Sequence, residues 1–409
     1  MTVSFRDHVH AFLAEAVFSR AEVDRFLDPD QPKWARFDPE LGYLPHPSRV
    51  PDGVDDSVST YRYGALGERL AIAYADRPCR VNTYGDSFTQ CHQVSDGETW
   101  QEYLAAHLGE PVRNFGVGGY GVLQACRRLR REEASAASAE HVVLNIYLDD
   151  HYRSLDAYRM LRVGRGWWDR YQSLPTSMFH ANPWEHVRFD AAGVLVDRPN
   201  PCPTAESLYH LCDPDFLMET FGDDLVVHLL VGRRTGRWDF LTDHRETAAA
   251  LDLDLDLDIG SGGDAAGARM ADAFYDRCAF RASAVLVERT RRELAEQGKR
   301  LLVLLSYPGG TVADACAGKT RPDEEFVRHL DDLGVEYVDS LAAHVADYQA
   351  FSLSPQEYRD RFYNGHYTPA GNHLFAFMVK PRFVRWLDPA PPAYAARTSP
   401  LSVRGEALA

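Results

Sequence analysis

Cys79-Arg80-Val81-Asn82-Thr83-Tyr84-Gly85-Asp86-Ser87-Phe88-Thr89 reads as a short strand, Cys79–Thr83, running into a Gly-Asp-Ser turn. A serine placed there stands at the carboxyl end of a strand and the start of a helix, where open α/β sheets carry their reactive groups. Ser87 is therefore a candidate nucleophile. Gly, Asp and Ser are also ordinary loop residues, so the surrounding pattern has to decide between chemistry and simple chain reversal.

Working outward, strands and helices alternate. Strand-like Cys79–Thr83 precedes a helix over Thr99–Leu108, and strand-like Pro111–Phe115 precedes a helix over Val122–Ser135. His141–Tyr147 reads as the third strand. Further on, a helical stretch over Ala265–Gln297 leads into the apolar run Arg300–Leu305. A helix over Asp323–Leu333, a strand over Val335–Val338 and a last helix over Pro369–Trp386 follow. Strands separated by helices imply a parallel sheet covered on both faces. The expected fold class is α/β, a doubly wound parallel sheet.

Two regions lie outside this alternation. The first 78 residues read as a lead-in, helical over 6–28 and then looped or extended through the Pro- and Asp-rich stretch 28–56. Between the third and fourth strands lie roughly 150 residues, where a compact crossover needs only a dozen or more. The expected division is thus 1–78 as lead-in, 79–150 with 265–390 as the α/β domain, and 151–264 as an insertion. That insertion holds Trp167, Trp168, Tyr171, Phe179 and Trp184, with β-like runs at His186–Asp197 and Asp224–Val231. Large insertions in α/β enzymes shape access to the site or serve as structural subdomains, and both readings stand. Leu251–Asp258 alternates Leu with Asp, as a strand with an acidic, cation-attracting face or as a solvated tract.

Composition narrows the class. At 409 residues and 45% hydrophobic content the chain can bury a substantial core, and no run of about 20 apolar residues reads as a membrane span. The N-terminus lacks the apolar core and cleavage site of a leader, so a cytoplasmic location is expected. Seven scattered cysteines form no CxxC pair, which argues against a disulfide framework and a zinc site. A formal net charge of −16 disfavours binding to nucleic acid. No cofactor and no metal are implied; the expected partner is a small molecule, and the oligomeric state is open.

Two further stretches carry chemistry. Asn114-Phe115-Gly116-Val117-Gly118-Gly119-Tyr120-Gly121 follows a strand and precedes a helix. Glycines 116, 118 and 121 match the GxGxxG pattern of dinucleotide sites. That fingerprint belongs to the first strand-helix unit, however, and here the Gly-Asp-Ser turn occupies it. Glycines at such a place also let backbone N–H groups approach a ligand, as an oxyanion hole requires. Near the C-terminus, Tyr363-Asn364-Gly365-His366-Tyr367-Thr368-Pro369 puts His366 just before a helix start, with Thr368 as N-cap and Pro369 in the first turn. A serine nucleophile needs a base, and a histidine from a distant loop is the usual supplier. His373, inside the helix, reads as structural.

In order and spacing these blocks resemble the SGNH/GDSL hydrolase superfamily. Gly85-Asp86-Ser87 matches its nucleophile block, Asn114 to Gly119 its glycine block, and Asn364-Gly365-His366 its histidine block. The resemblance covers 79–150 and about 298–388. It implies a flavodoxin-like sheet with a large insertion between strands 3 and 4. Ser87 would attack an acyl carbonyl, His366 would take its proton, and the N–H groups of Ser87 and Gly119 would stabilise the oxyanion.

Two positions depart from the family pattern. Asp149 stands where the family carries an oxyanion-hole asparagine, and an ionised carboxylate donates no hydrogen bond. Asn364 and Tyr363 stand where its acid is expected. The Asn364 carbonyl can orient an imidazole, and Asp360 would supply a charge if the loop folded back. The expectation is an esterase, deacylase or acyltransferase acting on a small polar or carbohydrate-like substrate through acyl-Ser87, with Ser87, His366 and Asn364 catalytic and Gly119 and Asp149 at the oxyanion or substrate. The alternatives are a ligand-binding protein that has lost turnover and, more distantly, a dinucleotide-binding oxidoreductase.

Overall fold

The computed structural model describes residues 3–166, 183–255 and 259–395, with the side chains of 259–264 outside that description. Two antiparallel hairpins come first, β1 (Ala35–Asp38) with β2 (Gly42–Pro45) and β3 (Ser48–Val50) with β4 (Ser59–Tyr61). Then come β5 (Val81–Tyr84), β6 (Arg113–Asn114) and β7 (His141–Tyr147). The hairpin of β8 (His186–Phe189) and β9 (Leu195–Arg198) lies in the insertion. β10 (Arg300–Ser306), β11 (Tyr337–Asp339) and a minimal hairpin of β12 (Tyr363–Asn364) and β13 (His366–Tyr367) complete the set.

Five of these strands make one parallel sheet in the order β11-β10-β7-β5-β6. Numbered by their place in the chain, the strands lie 2-1-3-4-5, a common doubly wound order. Its topological switch point falls between the first and third strands, β5 and β7. β5 is buried along its whole length and β7 over all but its last residue. For β7 that matches a near-continuous apolar run, as a sheet covered on both faces requires, whereas in β5 the buried Asn82 and Thr83 are hydrogen-bonded, to Glu133 and to the Arg113 carbonyl. Helices Val122–Glu133, Ile259–Glu296 and Glu324–Asp332 pack together as one layer; Trp100–Leu108, Ser340–Tyr348 and Pro369–Trp386 belong to the other.

A second core sits beside the sheet. Phe12, Trp34 and Tyr43 from the first 45 residues share it with Trp184, Leu211, Phe221 and Val227 from the insertion, and with Val117 and Tyr120 of the glycine block. The two regions outside the alternation thus pack on each other and against the loop after β6.

Several local expectations need correction. The helix expected over 6–28 is two helices, Phe5–Ala14 and Arg20–Leu27, each opened by its own capping box, Ser4 with Asp7 and Ser19 with Glu22. Asp224–Val231 is helical: Asp224 caps the helix Leu225–Thr235 by accepting from the N–H groups of Val226 and Val227. Its apolar run is buried, and a short buried helix and a buried strand look alike in sequence. His186–Asp197 does form strands, the β8–β9 hairpin. In 251–255 the Leu/Asp alternation follows burial, with Leu251 and Leu255 inside and Asp252 and Asp254 outside, but no strand pairs there. Residues 256–258 lie outside the described residues, as do Trp167, Trp168, Tyr171 and Phe179. All seven cysteines are free thiols. Among the described residues no helix is long and apolar enough to cross a membrane, and no three His, Cys, Asp or Glu side chains gather as a metal-ligand set.

Candidate functional site

The chain leaves β5 through Gly85, at φ +151°. A side chain there would be strained by conformation, and its Cβ would lie 2.4 Å from the Asn145 carbonyl oxygen. Only glycine lets the turn lie so close to β7. Asp86 then accepts the Phe88 N–H through Oδ1 at 2.8 Å, opening the short helix Ser87–Gln90 at the switch point. Ser87 is largely buried, and its Oγ has two acceptors in reach: His366 Nε2 at 2.8 Å and Asp86 Oδ2 at 3.2 Å.

His366 reaches Ser87 from the β12–β13 hairpin. Thr368 caps the following helix by accepting from the Gly371 N–H, with Pro369 in the first turn, so the loop is pinned just behind the histidine. Phe88 packs on the imidazole at 5.1 Å between ring centroids and stacks on Tyr147 at 4.4 Å. The opposite ring nitrogen, Nδ1, lies 2.9 Å from Gln93 Oε1, and the same oxygen accepts the His366 backbone N–H at 2.8 Å.

These contacts fix the imidazole's tautomer. The backbone N–H of His366 can only donate, so the Gln93 atom it meets is the carbonyl oxygen. The amide nitrogen of Gln93 donates to the Asp52 carbonyl oxygen at 2.9 Å, which sets the same orientation from the other end. Nδ1 must then carry the proton, leaving Nε2 as the acceptor for the Ser87 hydroxyl. Burial, reinforced by the nearby Arg153 charge, pushes His366 down to about 4, so the ring is neutral at pH 7.

Gln93 itself is held firmly. Its N–H donates to the Tyr61 hydroxyl at 2.7 Å, and Tyr61 donates in turn to Asp52 Oδ2 at 2.8 Å. Gln93 sits at φ +69° and Cys91 at φ +61°, unusual for residues with side chains. The buried Arg69 ties this segment down by donating to the carbonyls of Gln90, Cys91 and Val94 and pairing with Asp96 at 3.1 Å. Gly365, at φ +81°, completes the fit, since a Cβ there would lie 2.8 Å from Gln93 Oε1.

The glycine block lies against the serine turn. A Cβ on Gly116 would come within 2.2 Å of the Gln90 nitrogen, and the Val117 N–H bonds to the Gly85 carbonyl at 3.0 Å. The Gly118 N–H is taken by Gln90 Oε1. On the far side, the Gly118 carbonyl accepts from the Tyr43 hydroxyl at 2.9 Å, that of Gly119 from Arg159 Nη1 at 3.3 Å and that of Tyr120 from Arg153 Nη1 at 3.1 Å. In a trans peptide the N–H points opposite to the C=O. The Tyr43 bond therefore turns the Gly119 N–H away from Tyr43, and neither it nor the Ser87 N–H has an acceptor among the described residues.

After β7 lies a dense cluster of charge. Asp149 accepts from Arg153 Nε at 2.8 Å and takes both ends of the Arg162 fork, at 2.7 and 3.1 Å. Burial opposes its ionisation, but the two guanidiniums hold it well below the usual carboxylate range. Arg153 Nη1 also meets Asp150 Oδ1 at 2.7 Å and Asp86 Oδ2 at 3.2 Å. Burial raises Asp86 and Asp150, Asp150 further through the neighbouring Asp86, while Arg153 opposes the rise in both. Asp149 is thus an ionised carboxylate engaged with arginines of its own chain.

Ser87, His366 and Gly119 come together around the switch point. Asn364 does not reach the imidazole: it pairs with His366 only through the hairpin backbone, and its exposed side chain forms no hydrogen bond among the described residues. Gln93 stands where Asn364 was expected. Asp360 does not fold back either, being exposed and bonded to Arg359 and Gln356. His373 packs with Tyr103 and His107 on the outer helices. Sequence reasoning missed Gln93, Tyr43 and Arg153. The one signal for Gln93 was its place six residues after the serine; its partner lies 273 residues away. No protein-family model matches the chain, and no curated protein matches it in sequence. What stands is a mixed α/β fold with a central five-stranded parallel sheet and these side chains at its carboxyl edge.

Proposed function

We propose that the protein is a serine hydrolase or acyltransferase acting on an ester or O-acyl group, similar in fold and site to the SGNH/GDSL hydrolases. The observation that carries this reading is the 2.8 Å contact between Ser87 Oγ and His366 Nε2, on a histidine whose Nδ1 proton is committed to Gln93. A neutral imidazole with its acceptor nitrogen on a serine hydroxyl is what a general base requires.

In this mechanism Ser87 Oγ attacks the acyl carbonyl as His366 Nε2 takes its proton. The N–H groups of Ser87 and Gly119 receive the developing oxyanion, the role that fixed donors play in acyl transfer. His366 then returns the proton to the leaving alcohol, giving acyl-Ser87. Water or an acceptor alcohol reverses the sequence and releases the acyl group. Gln93 supplies a neutral acceptor to the transient imidazolium, which it stabilises less than a carboxylate would. The insertion, packed on the glycine block, is positioned to shape what enters.

A ligand-binding site without turnover is the second reading. It is favoured by the missing carboxylate behind His366 and by the engagement of Asp149 with arginines. One experiment separates the two: treating wild type, Ser87→Ala and His366→Ala with a fluorophosphonate probe. Labelling of wild type that is lost in both variants supports the acyl-transfer reading. A wild-type protein that takes no label overturns it.

A further inference from the structure

Arg153, Arg159 and Arg162 follow β7, and their surroundings differ in one respect. Arg153 is paired with Asp86, Asp149 and Asp150, and Arg162 with Asp149 and Asp156. Arg159 has no carboxylate within ion-pair distance among the described residues. Its hydrogen bonds go to neutral groups: Nη1 donates to the Gly119 carbonyl at 3.3 Å, and the Tyr43 hydroxyl also accepts from its side chain. Nε is buried without an acceptor. The residue is 7% exposed. Burial and the like charge of Arg153 push it down to about 10, with Tyr43 and then Asp149 offsetting this in part, so it stays a cation at neutral pH. A buried, unneutralised guanidinium is costly for a fold to maintain.

Its place gives that charge a use. Gly119 carries both the carbonyl that Arg159 holds and the N–H assigned to the oxyanion, and one residue spans less than about 4 Å. Although the guanidinium meets the glycine block from the side away from the serine turn, it therefore lies within about 10 Å of the place the oxyanion would take. A group bound there belongs to the substrate close to its ester linkage. Guanidinium favours planar oxyanions, above all carboxylates, over neutral polar groups.

Resting on the acyl-transfer reading above, we propose that Arg159 anchors a carboxylate carried by the substrate, so that the site takes esters bearing a carboxylate close to the scissile bond. Arg153 and Arg162, already neutralised, hold the frame; Arg159 selects the substrate.

The test compares matched aryl esters on the full chain. One pair places the carboxylate in the acyl part, mono-4-nitrophenyl succinate against 4-nitrophenyl butyrate. The other places it in the alcohol part, 3-acetoxybenzoate against phenyl acetate. Wild type is expected to prefer the carboxylate ester of at least one pair by about tenfold or more in kcat/KM, each tenfold matching one good charge-assisted contact. Arg159→Gln should abolish that preference and Arg159→Lys should keep part of it. Equal or inverted ratios in wild type, or a preference surviving in Arg159→Gln, overturn the proposal. If Arg159→Gln does not fold, inhibition of wild type decides: succinate should compete with the preferred ester and succinamide should not, and equal inhibition by both overturns the proposal. Fluorophosphonate labelling of the same wild-type sample separates the two levels of argument. A labelled enzyme without preference removes only the carboxylate anchor, whereas an unlabelled one removes the acyl-transfer reading and the anchor with it.

Discussion

Gln93 Oε1 stands 2.9 Å from His366 Nδ1, on the side of the imidazole opposite Ser87. A neutral amide therefore does the orienting that a carboxylate does in the better-known serine sites. Gln93→Leu removes the acceptor for both Nδ1 and the His366 backbone N–H, freeing the ring to rotate or change tautomer. General-base catalysis contributes about 100- to 10,000-fold. Losing only the orienting partner is expected to lower kcat/KM on an aryl ester by a part of that, about 10- to 100-fold. The fluorophosphonate labelling rate should fall in parallel. Steady-state kinetics on the two proteins checks this, and an unchanged rate would remove Gln93 from the site.

The same pair sets the pH dependence. With His366 pushed down to about 4 by burial and the Arg153 charge, the base stays neutral well below pH 6. The acid limb of kcat/KM is expected near pH 4, not near the ordinary histidine value of about 6.5. Gln93→Glu places a carboxylate on Nδ1, favours the imidazolium and should move the limb upward. The effect on stability has a defined sign. His366 is lowered in the fold relative to the unfolded chain, so its contribution is complete above about pH 6.5 and is lost as pH falls towards its folded value. Burial also lowers His151 to about 4 and His186 and His344 to about 3, and these titrate in the same direction. The measurement is therefore differential: urea unfolding of wild type against His366→Gln, with the gap between them shrinking from pH 7 to pH 4.

The sheet was legible chiefly from β7 and β10, near-continuous apolar runs of the kind that burial on both faces requires. The places of Ser87 and His366 were legible because each sits at a chain reversal with its own local signature, Gly-Asp-Ser and Thr-Pro. Gln93 was not, because nothing local marks a glutamine that acts through a partner 273 residues on. Asn364 was the natural candidate by adjacency. In a two-residue hairpin, however, facing residues pair through the backbone, and here the Asn364 side chain is left in solvent. The helix Leu225–Thr235 was read as a strand because its buried residues run consecutively, erasing the 3.6-residue period. The role of the first 78 residues was invisible for a related reason: Asp52 and Tyr61 act on Gln93, and Tyr43 on Gly118, only once the hairpins have docked.

Asp149 gives a prediction that runs against its place in the sequence. Were it a lost oxyanion donor, Asp149→Asn would restore activity. The carboxylate is instead shared between Arg153 and Arg162, and both would be left short of negative charge. Breaking a buried pair costs about 3–5 kcal/mol. Asp149 is partly exposed and each arginine keeps another carboxylate, so a loss of about 1–3 kcal/mol is expected. Asp149→Asn should melt earlier and hydrolyse aryl esters no faster than wild type. A gain in turnover would show that the amide reaches the reacting oxygen.

Tyr43 lies outside the expected α/β domain, yet its hydroxyl holds the carbonyl whose peptide ends in the Gly119 N–H. Tyr43→Phe keeps the ring, which packs between Tyr120 and Trp184, and removes the hydroxyl that holds this carbonyl and that also meets Arg159. The Gly118 carbonyl is left with a buried, unmet acceptor, a cost of about 1–3 kcal/mol in stability. It also releases the peptide plane that aims the donor. Removing an oxyanion donor outright costs about 100- to 1000-fold. A donor still present but less firmly aimed should cost about tenfold, in kcat with little change in KM, because the oxyanion exists only after attack. Tyr158→Phe is the control for lost stability alone: Tyr158 is buried in the same second core and donates at 3.1 Å to the Ala16 carbonyl, on the α1 side of the molecule (Phe5–Ala14). A kcat defect in Tyr43→Phe, set against normal kcat in an equally destabilised Tyr158→Phe, would tie the N-terminal hairpin to the chemistry. Matching kinetics in the two variants would reduce Tyr43 to packing.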